Sequence, residues 1–251
     1  MELIKKDIKS FEELIKLAGI TGLSVPHSYW YDGLDCQEKQ LKPSKNHLVK
    51  LIDYISQKDF GNAVIRNEKR RRLCIPDTEN INSRKEARDE AIAELLKAYD
   101  DITASCKAWY VFEGFSNPDI FIEGNDYVIV CEGKWTEPSI TVQTTNLATK
   151  DGEYRNQMIR HIQGALNYSD KTIYAFYIVD KECGYLADLT REKFVEQLSL
   201  ETITIDDPEK EKIWNAYKGY ITWQDIENVF PEIGFKTKEE ISLMNGVRPS
   251  E

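Results

Sequence analysis

Three short β-prone runs follow one another in the middle of the chain, and they constrain the fold more than any other feature. Ala108–Phe115 is rich in aromatic and β-branched residues, Asp119–Glu123 is a second run, and Tyr127–Trp135 is a third. The last two are separated by a short turn at Glu123–Asp126. Runs of this length that are bounded by turn residues predict consecutive strands, so we expect a β-meander here.

Helical patterns are predicted on both sides of the meander. Before it, Ser83 and Glu86 have the spacing of a capping box, and the apolar residues that follow repeat with helical spacing. After it, Ser139–Thr145 is a fourth β-prone run, Glu153–Tyr168 has the pattern of an amphipathic helix, and Thr172–Val179 returns to strand. This order predicts an α/β (α+β) fold in which helices flank a central mixed β-sheet.

The amino-terminal residues 1–80 are expected to form a mainly helical extension. Ser10 and Glu13 have the spacing of a capping box, and a second amphipathic pattern begins at Leu48. The stretch 19–43 between them is punctuated by glycine and proline, which predicts an irregular connection.

The carboxy-terminal residues 183–251 carry weaker patterns than the predicted core at 81–182. We expect them to pack on the core as an α/β extension. Their helical patterns lie at Thr190–Leu198, Glu209–Tyr217 and Thr222–Phe230, with a β-prone run at Glu201–Ile205.

The charge balance limits the partners of the chain. With 33 basic and 43 acidic residues the net charge is −10, so long-range attraction to phosphate or to anionic lipid does not recruit this protein, and any nucleic-acid site must be local. The longest apolar runs have strand length, so we expect no membrane partner. No apolar segment follows the first methionine, which predicts a cytoplasmic protein. The five cysteines lie far apart without a CxxC pair, which predicts reduced thiols.

One group of residues in the meander has the chemistry of a site: Asp119 after Pro118, and Glu132, Gly133 and Lys134 at the end of the next strand. Residues two apart in a strand point the same way, so Glu132 and Lys134 share a face. The turn between the strands folds Asp119 back beside them. Two carboxylates suit Mg²⁺, and a lysine is able to hold or deprotonate an attacking water, so the group fits metal-assisted phosphodiester hydrolysis.

A simpler interpretation gives the same residues structural roles. Asp119 is then a turn residue after Pro118, and Glu132 with Lys134 forms a salt bridge at a sheet edge. The chain has two Pro-Asp pairs and two acid-x-Lys triplets, but only one combination of them falls within a predicted hairpin. That placement favours the functional interpretation.

These residues resemble the motif of the PD-(D/E)XK nuclease superfamily, which has the restriction-endonuclease-like fold. The matching residues are Pro118–Asp119, the strand Tyr127–Cys131 and Glu132–Gly133–Lys134, and with the flanking helices the resemblance covers roughly residues 83–180. It implies an endonuclease that depends on Mg²⁺, for which Mn²⁺ can substitute. In such an enzyme Asp119, Glu132 and the Gly133 carbonyl bind the metal, and Lys134 positions the water. The implied substrate is DNA rather than RNA, and whether the protein forms a homodimer stays open.

Both flanking helices carry further candidates that the resemblance implies. Many members of the superfamily have a glutamate on the first core helix that reaches the metal; Glu90 is the best match, with Glu86 and Glu94 as rivals. On the second core helix some members place a glutamine near the active site, which Gln157 matches, and Arg160 beside it is a candidate for phosphate binding. The alternative for all of them is a solvated helix face.

The only dense basic run of the chain is a candidate for phosphate neutralisation in a nucleic-acid complex. It consists of Arg66, Lys69, Arg70, Arg71 and Arg72. A solvated charge run is the simpler interpretation of this segment.

Two other functional classes stay open at this point. The acidic net charge is unusual for a protein that binds a polyanion. The first alternative to the nuclease is therefore a non-catalytic module with the same fold, which binds nucleic acid or protein. An unrelated α+β protein whose hairpin carries these charges by chance is the third interpretation.

Overall fold

A computed structural model describes residues 7–31, 38–57, 72, 81–100, 116–135, 156–200 and 207–234. Within them, five strands form one sheet: β1 Ser28–Tyr31, β2 Ile120–Glu123, β3 Tyr127–Lys134, β4 Thr172–Val179 and β5 Tyr217–Thr222. The helices of the described ranges are α1 Ile8–Leu17, α2 Lys45–Gln57, α3 Ile81–Ala98, α4 Gln157–Tyr168, α5 Arg191–Leu200, α6 Asp207–Ala216 and α7 Trp223–Val229, with a 3₁₀ turn at Leu186–Leu189. None of these helices is both long and apolar enough to cross a membrane.

The sheet is mixed, and its strands lie in the order β1–β2–β3–β4–β5. β1, β2 and β3 are mutually antiparallel neighbours, whereas β3, β4 and β5 run parallel. Parallel neighbours need a crossover connection. Helix α4 lies between β3 and β4 in the chain, and α5 and α6 lie between β4 and β5. The predicted mixed sheet with flanking helices is confirmed.

Each face of the sheet has its own apolar core, because side chains alternate between the faces along every strand. On one face Val128 and Val130 pack with residues of α4, α5 and α6. On the other face Ile129 and Ile178 pack with residues of α1 and α7. Strand β3 is buried on both faces and is therefore apolar from its start to Cys131.

Two predicted helix starts are wrong by less than one turn. Asp7 caps α1, since its carboxylate accepts the N–H groups of Lys9 and Ser10, so Ser10 lies inside the helix. An aspartate satisfies the first N–H groups as well as a serine does, which moves the start of the helix towards the amino terminus. Helix α3 begins at Ile81, which places Ser83 in its first turn.

The two outer strands, β1 and β5, were not predicted. β1 lies in the stretch 19–43, which was expected to be irregular, and β5 begins at Tyr217, the residue at which a helix was expected to end. Because both belong to the sheet, the sheet extends beyond the boundaries predicted at residues 80 and 182. The predicted strands Ala108–Phe115 and Ser139–Thr145 lie outside the described residues.

Candidate active site

Asp119 lies immediately before β2, beside the end of β3. The antiparallel register pairs Ile120 with Cys131, so the next position brings Asp119 opposite Glu132. The Gly133 N–H donates a hydrogen bond of 2.7 Å to Asp119 Oδ2. A Cβ atom on Gly133 would lie 3.4 Å from the same oxygen, which is van der Waals contact. The hairpin therefore brings Asp119 next to the residues with which it was expected to converge.

The Glu132 carboxylate is buried and accepts hydrogen bonds from three side chains. Lys134 Nζ lies 2.6 Å and Gln157 Nε2 2.7 Å from Oε1, and His161 Nε2 lies 2.9 Å from Oε2. Glu132 is 2% exposed, Lys134 5% and His161 1%. These four residues are called the Glu132 cluster below. A buried carboxylate requires such donors, because the loss of hydration would otherwise be too costly.

Helix α4 supplies two members of the Glu132 cluster. Gln157 and His161 are four residues apart and therefore neighbours on one face of the helix, the face that meets β3. Asn156 fixes the start of the helix, because its side-chain oxygen accepts the Ile159 N–H at 3.1 Å. The helix is buried from Met158 to Ala165. A hydrated face, the alternative considered from the sequence, is therefore wrong at Arg160, whereas Gln157 keeps part of its surface in solvent.

Asp119 is half-buried, and its pKa is raised to about 6. Burial is the main cause, and the negative charge of Glu132 adds to it. The Gly133 N–H and the charge of Lys134 act in the opposite direction without cancelling the rise, and Glu38 raises the pKa further. The ionised form of Asp119 is therefore unfavourable, first because of burial and second because of the nearby negative charge, and a bound cation would stabilise it.

Glu132 stays ionised in spite of its burial. Burial raises its pKa, but the hydrogen bond from His161 and the charge and hydrogen bond of Lys134 oppose this effect, and the pKa lies below its ordinary value. Burial lowers the pKa of His161, against the influence of Glu132. Glu132 and His161 therefore compete for one proton. We assign the neutral imidazole, protonated on Nε2, because the buried Nδ1 has no hydrogen-bond partner in the described part of the chain and a proton there would be unsatisfied.

The capacity of the site to hold a metal rests on two carboxylates and a backbone carbonyl. Within the described ranges, no three His, Cys, Asp or Glu side chains are grouped so as to bind a metal ion. The smaller oxygen set of Asp119, Glu132 and the Gly133 carbonyl fits Mg²⁺, because this ion keeps several water ligands. Asp119 offers a half-exposed carboxylate, whereas Glu132 becomes a ligand only if a cation replaces one of its three donors.

The other predicted site residues have different surroundings. Glu90, on α3, is exposed and accepts a hydrogen bond of 3.3 Å from Arg72 Nη1. Arg160 is only 6% exposed, which leaves almost no surface for contact with a phosphate. The remaining members of the basic run lie outside the described residues: Arg66, Lys69, Arg70 and Arg71.

Two residues near the site were not predicted. His161 has no catalytic-triad pattern around it in the sequence, although its spacing of four from Gln157 is a signal that both share a helix face. Glu38 has no local signal at all. Its segment is joined to the core by a two-way backbone bridge, in which Leu41 N–H donates to the Ser116 carbonyl at 2.8 Å and Ser116 N–H to the Leu41 carbonyl at 3.0 Å.

Comparison with known proteins does not identify a family. No protein-family model matches the chain, and no match is found among curated proteins or solved structures. The function of the chain is therefore inferred from the sheet and from the geometry of the Glu132 cluster with Asp119.

Proposed function

We propose that this protein is a metal-dependent nuclease that hydrolyses phosphodiester bonds, DNA in preference to RNA, on a restriction-endonuclease-like fold. The observation that carries the proposal is the hydrogen bond of 2.7 Å from the Gly133 N–H to the Asp119 carboxylate. It joins the start of β2 to Gly133, which lies between Glu132 and Lys134 in the chain. The two carboxylates and the ammonium group therefore lie at the same end of the sheet, where the charges of Glu132 and Lys134 act on the pKa of Asp119. This is the donor set that the PD-(D/E)XK resemblance requires.

Each residue of the group has a role in the proposal. Asp119, Glu132 and the Gly133 carbonyl would hold Mg²⁺ or Mn²⁺, which when bound stabilises negative charge on the phosphate and lowers the pKa of a water ligand. Lys134 has three N–H donors, and while one reaches Glu132 the others are able to orient the attacking water. Gln157 holds Glu132 Oε1 with a second hydrogen bond.

A non-catalytic binding module is the second candidate, and one observation favours it. Both oxygens of Glu132 already accept hydrogen bonds, and the carboxylate is buried. If no cation displaces a donor, Glu132 is an anchor between β3 and α4 and nothing more. The chain would then bind nucleic acid or another protein without metal and without turnover.

Cleavage of a labelled DNA oligonucleotide in Mg²⁺ or Mn²⁺ tests the nuclease, and the same sequence as RNA tests the substrate preference. We expect Asp119→Asn and Lys134→Met to lower the rate about 100-fold or more, the scale for removal of one stabilising group from a reaction centre. A matched control lies at the opposite end of the same strands, where Lys171 Nζ lies 2.6 Å from Glu123 Oε1. Lys171→Met should cleave at the wild-type rate.

Calorimetric titration with Mg²⁺ separates the two candidates. Heat of binding in the wild type and none in Asp119→Asn supports the nuclease. DNA binding that EDTA does not change, together with no cleavage, supports the binding module. Equal cleavage by the wild type, Asp119→Asn and Lys134→Met would show that neither residue takes part in hydrolysis.

A further inference from the structure

Two tryptophans lie next to the candidate active site. Trp135 directly follows Lys134 in the chain, and Trp223 is the first residue of α7. Their ring centroids are 5.4 Å apart, with an angle of 51° between the ring planes. The indole Nε1 of Trp223 donates a hydrogen bond of 3.2 Å to the Lys134 carbonyl. The tryptophan pair is therefore attached to the backbone of the lysine that the proposed mechanism uses.

Gly133 connects the tryptophan pair to Asp119. The point at which a Gly133 Cβ would lie is 3.4 Å from the Trp223 ring and 3.4 Å from Asp119 Oδ2. The ring and the carboxylate are therefore separated by no more than twice that distance. A single nucleotide is long enough to place its phosphate near Asp119 and its base against the ring.

Trp223 is held in place by the fold itself. A capping box fixes the start of α7, in which the Asp225 N–H donates to Thr222 Oγ1 and the Thr222 N–H donates to the Asp225 carboxylate, each at 3.0 Å. The ring also packs on the apolar core that α1 and α7 share. Both Trp135 and Trp223 keep part of their surface in solvent. A rigid aromatic surface loses little conformational entropy when a ligand stacks on it.

The charge of the chain favours stacking as the source of affinity. At a net charge of −10, general attraction to a polyanion is unfavourable. Stacking of a base on an aromatic ring is independent of the phosphate charge and strengthens binding about tenfold or more for each base. A base within a duplex is covered by its neighbours and must first be unstacked, so an unpaired strand gains most from such a surface.

We infer that Trp135 and Trp223 form a nucleobase-stacking subsite beside the candidate active site, and that the nucleic acid bound there is single-stranded DNA. The inference deepens the proposed nuclease function and rests on it for the role of the bound strand. Binding to the subsite needs no metal, so it can be measured apart from hydrolysis.

Fluorescence anisotropy of a labelled oligo(dT), titrated with the full-length chain in EDTA, tests the subsite. We expect Trp135→Ala and Trp223→Leu each to weaken binding about tenfold, with the same salt dependence as the wild type because no phosphate contact is removed. Trp214→Ala is the matched control: this tryptophan packs on the opposite face of the sheet and stacks with Arg191, 3.9 Å from its ring centroid. Its affinity for oligo(dT) should equal that of the wild type.

The inference is overturned if both variants bind oligo(dT) as the wild type does, if the wild type binds none, or if the wild type binds an oligo(dT)·oligo(dA) duplex as tightly as the single strand. Circular dichroism checks the fold of each variant; if Trp223→Leu unfolds, Trp135→Ala decides. Tryptophan-dependent binding without any cleavage would reject the nuclease and keep the subsite. Cleavage that prefers duplex DNA would keep the nuclease and reject the subsite.

Discussion

Replacement of Asp119 by asparagine is expected to stabilise the fold above neutral pH while it removes activity. The pKa of Asp119 is raised from 3.8 to about 6, first by burial and then by the charge of Glu132. Above this pH the folded protein therefore carries a charge that the unfolded chain accommodates more easily in water. Asparagine keeps the shape of the side chain and an oxygen that accepts the Gly133 N–H, but it carries no charge.

The raised pKa sets the size and the pH range of the effect. Between about pH 4 and pH 6 the folded state binds more protons than the unfolded state, so wild-type stability falls as the pH rises through this range. The difference between 3.8 and about 6 corresponds to about 3 kcal/mol before screening. Because Asp119 is partly exposed, we discount this value to about 1–2 kcal/mol for Asp119→Asn at pH 8, falling to about zero below pH 4.

Urea unfolding of both proteins across this pH range measures the effect, since the midpoint and slope of each curve give the free energy of unfolding. Asp126→Asn is the matched control, because it removes an exposed acid from the turn of the same hairpin and should not raise the stability at pH 8. If Asp119→Asn is less stable than the wild type at pH 8, or equally stabilised at all pH values, the ionised carboxylate of Asp119 is not unfavourable in the folded protein. The physical basis for cation binding there would then be lost.

Substitutions at His161 and Gly164 test the contacts of α4. His161→Leu leaves Glu132 Oε2 without its buried donor and should cost about 2–3 kcal/mol of stability and most of the nuclease activity, whereas His161→Gln, whose amide reaches the position of Nε2, should recover part of both. His47→Leu breaks another buried hydrogen bond to the same helix and is the control; loss of activity in that variant would refute a specific role for His161. Gly164→Ala should cost about 1–3 kcal/mol by urea unfolding, because its Cβ would lie 2.6 Å from Leu41 Cβ. A gain of about 1 kcal/mol, the helix propensity of alanine over glycine, would show that this contact is not tight.

The strands that the sequence predicts are apolar and β-branched runs that are buried along most of their length. β4 matches the predicted Thr172–Val179 residue for residue, and β2 and β3 match their predictions to within one residue. β1 and β5 lie at the edges of the sheet, where pairing with a neighbour decides the strand. β1 is half-buried along its whole length without alternation, and β5 follows α6 with no turn residue between them.

The site is predictable only as far as strand geometry determines it. The period of two and the tight turn are sufficient to bring Asp119 beside Glu132. The contact of His161 with Glu132 depends on how α4 crosses the sheet, which no local pattern contains. Glu90 was chosen for its position on a helix, whereas the further acid that acts on the pKa of Asp119 is Glu38, in a segment that a long-range backbone bridge holds.

Two Lys–Glu salt bridges with equal N–O distances lie at opposite ends of these strands, and they differ in burial. Lys171 and Glu123, 2.6 Å apart, keep 25% and 12% of their side-chain surface in solvent, whereas Lys134 and Glu132, also 2.6 Å apart, keep 6% and 3%. The first pair keeps more of its hydration than the second. The second loses nearly all its hydration, and apolar residues of similar volume at such positions are often as stable or more stable. The valines that precede it on the same face show that this stripe of β3 accepts apolar residues. Stability alone therefore does not explain a charged pair at 132 and 134, and the proposed binding of a charged ligand at this end of the sheet would give these charges a role.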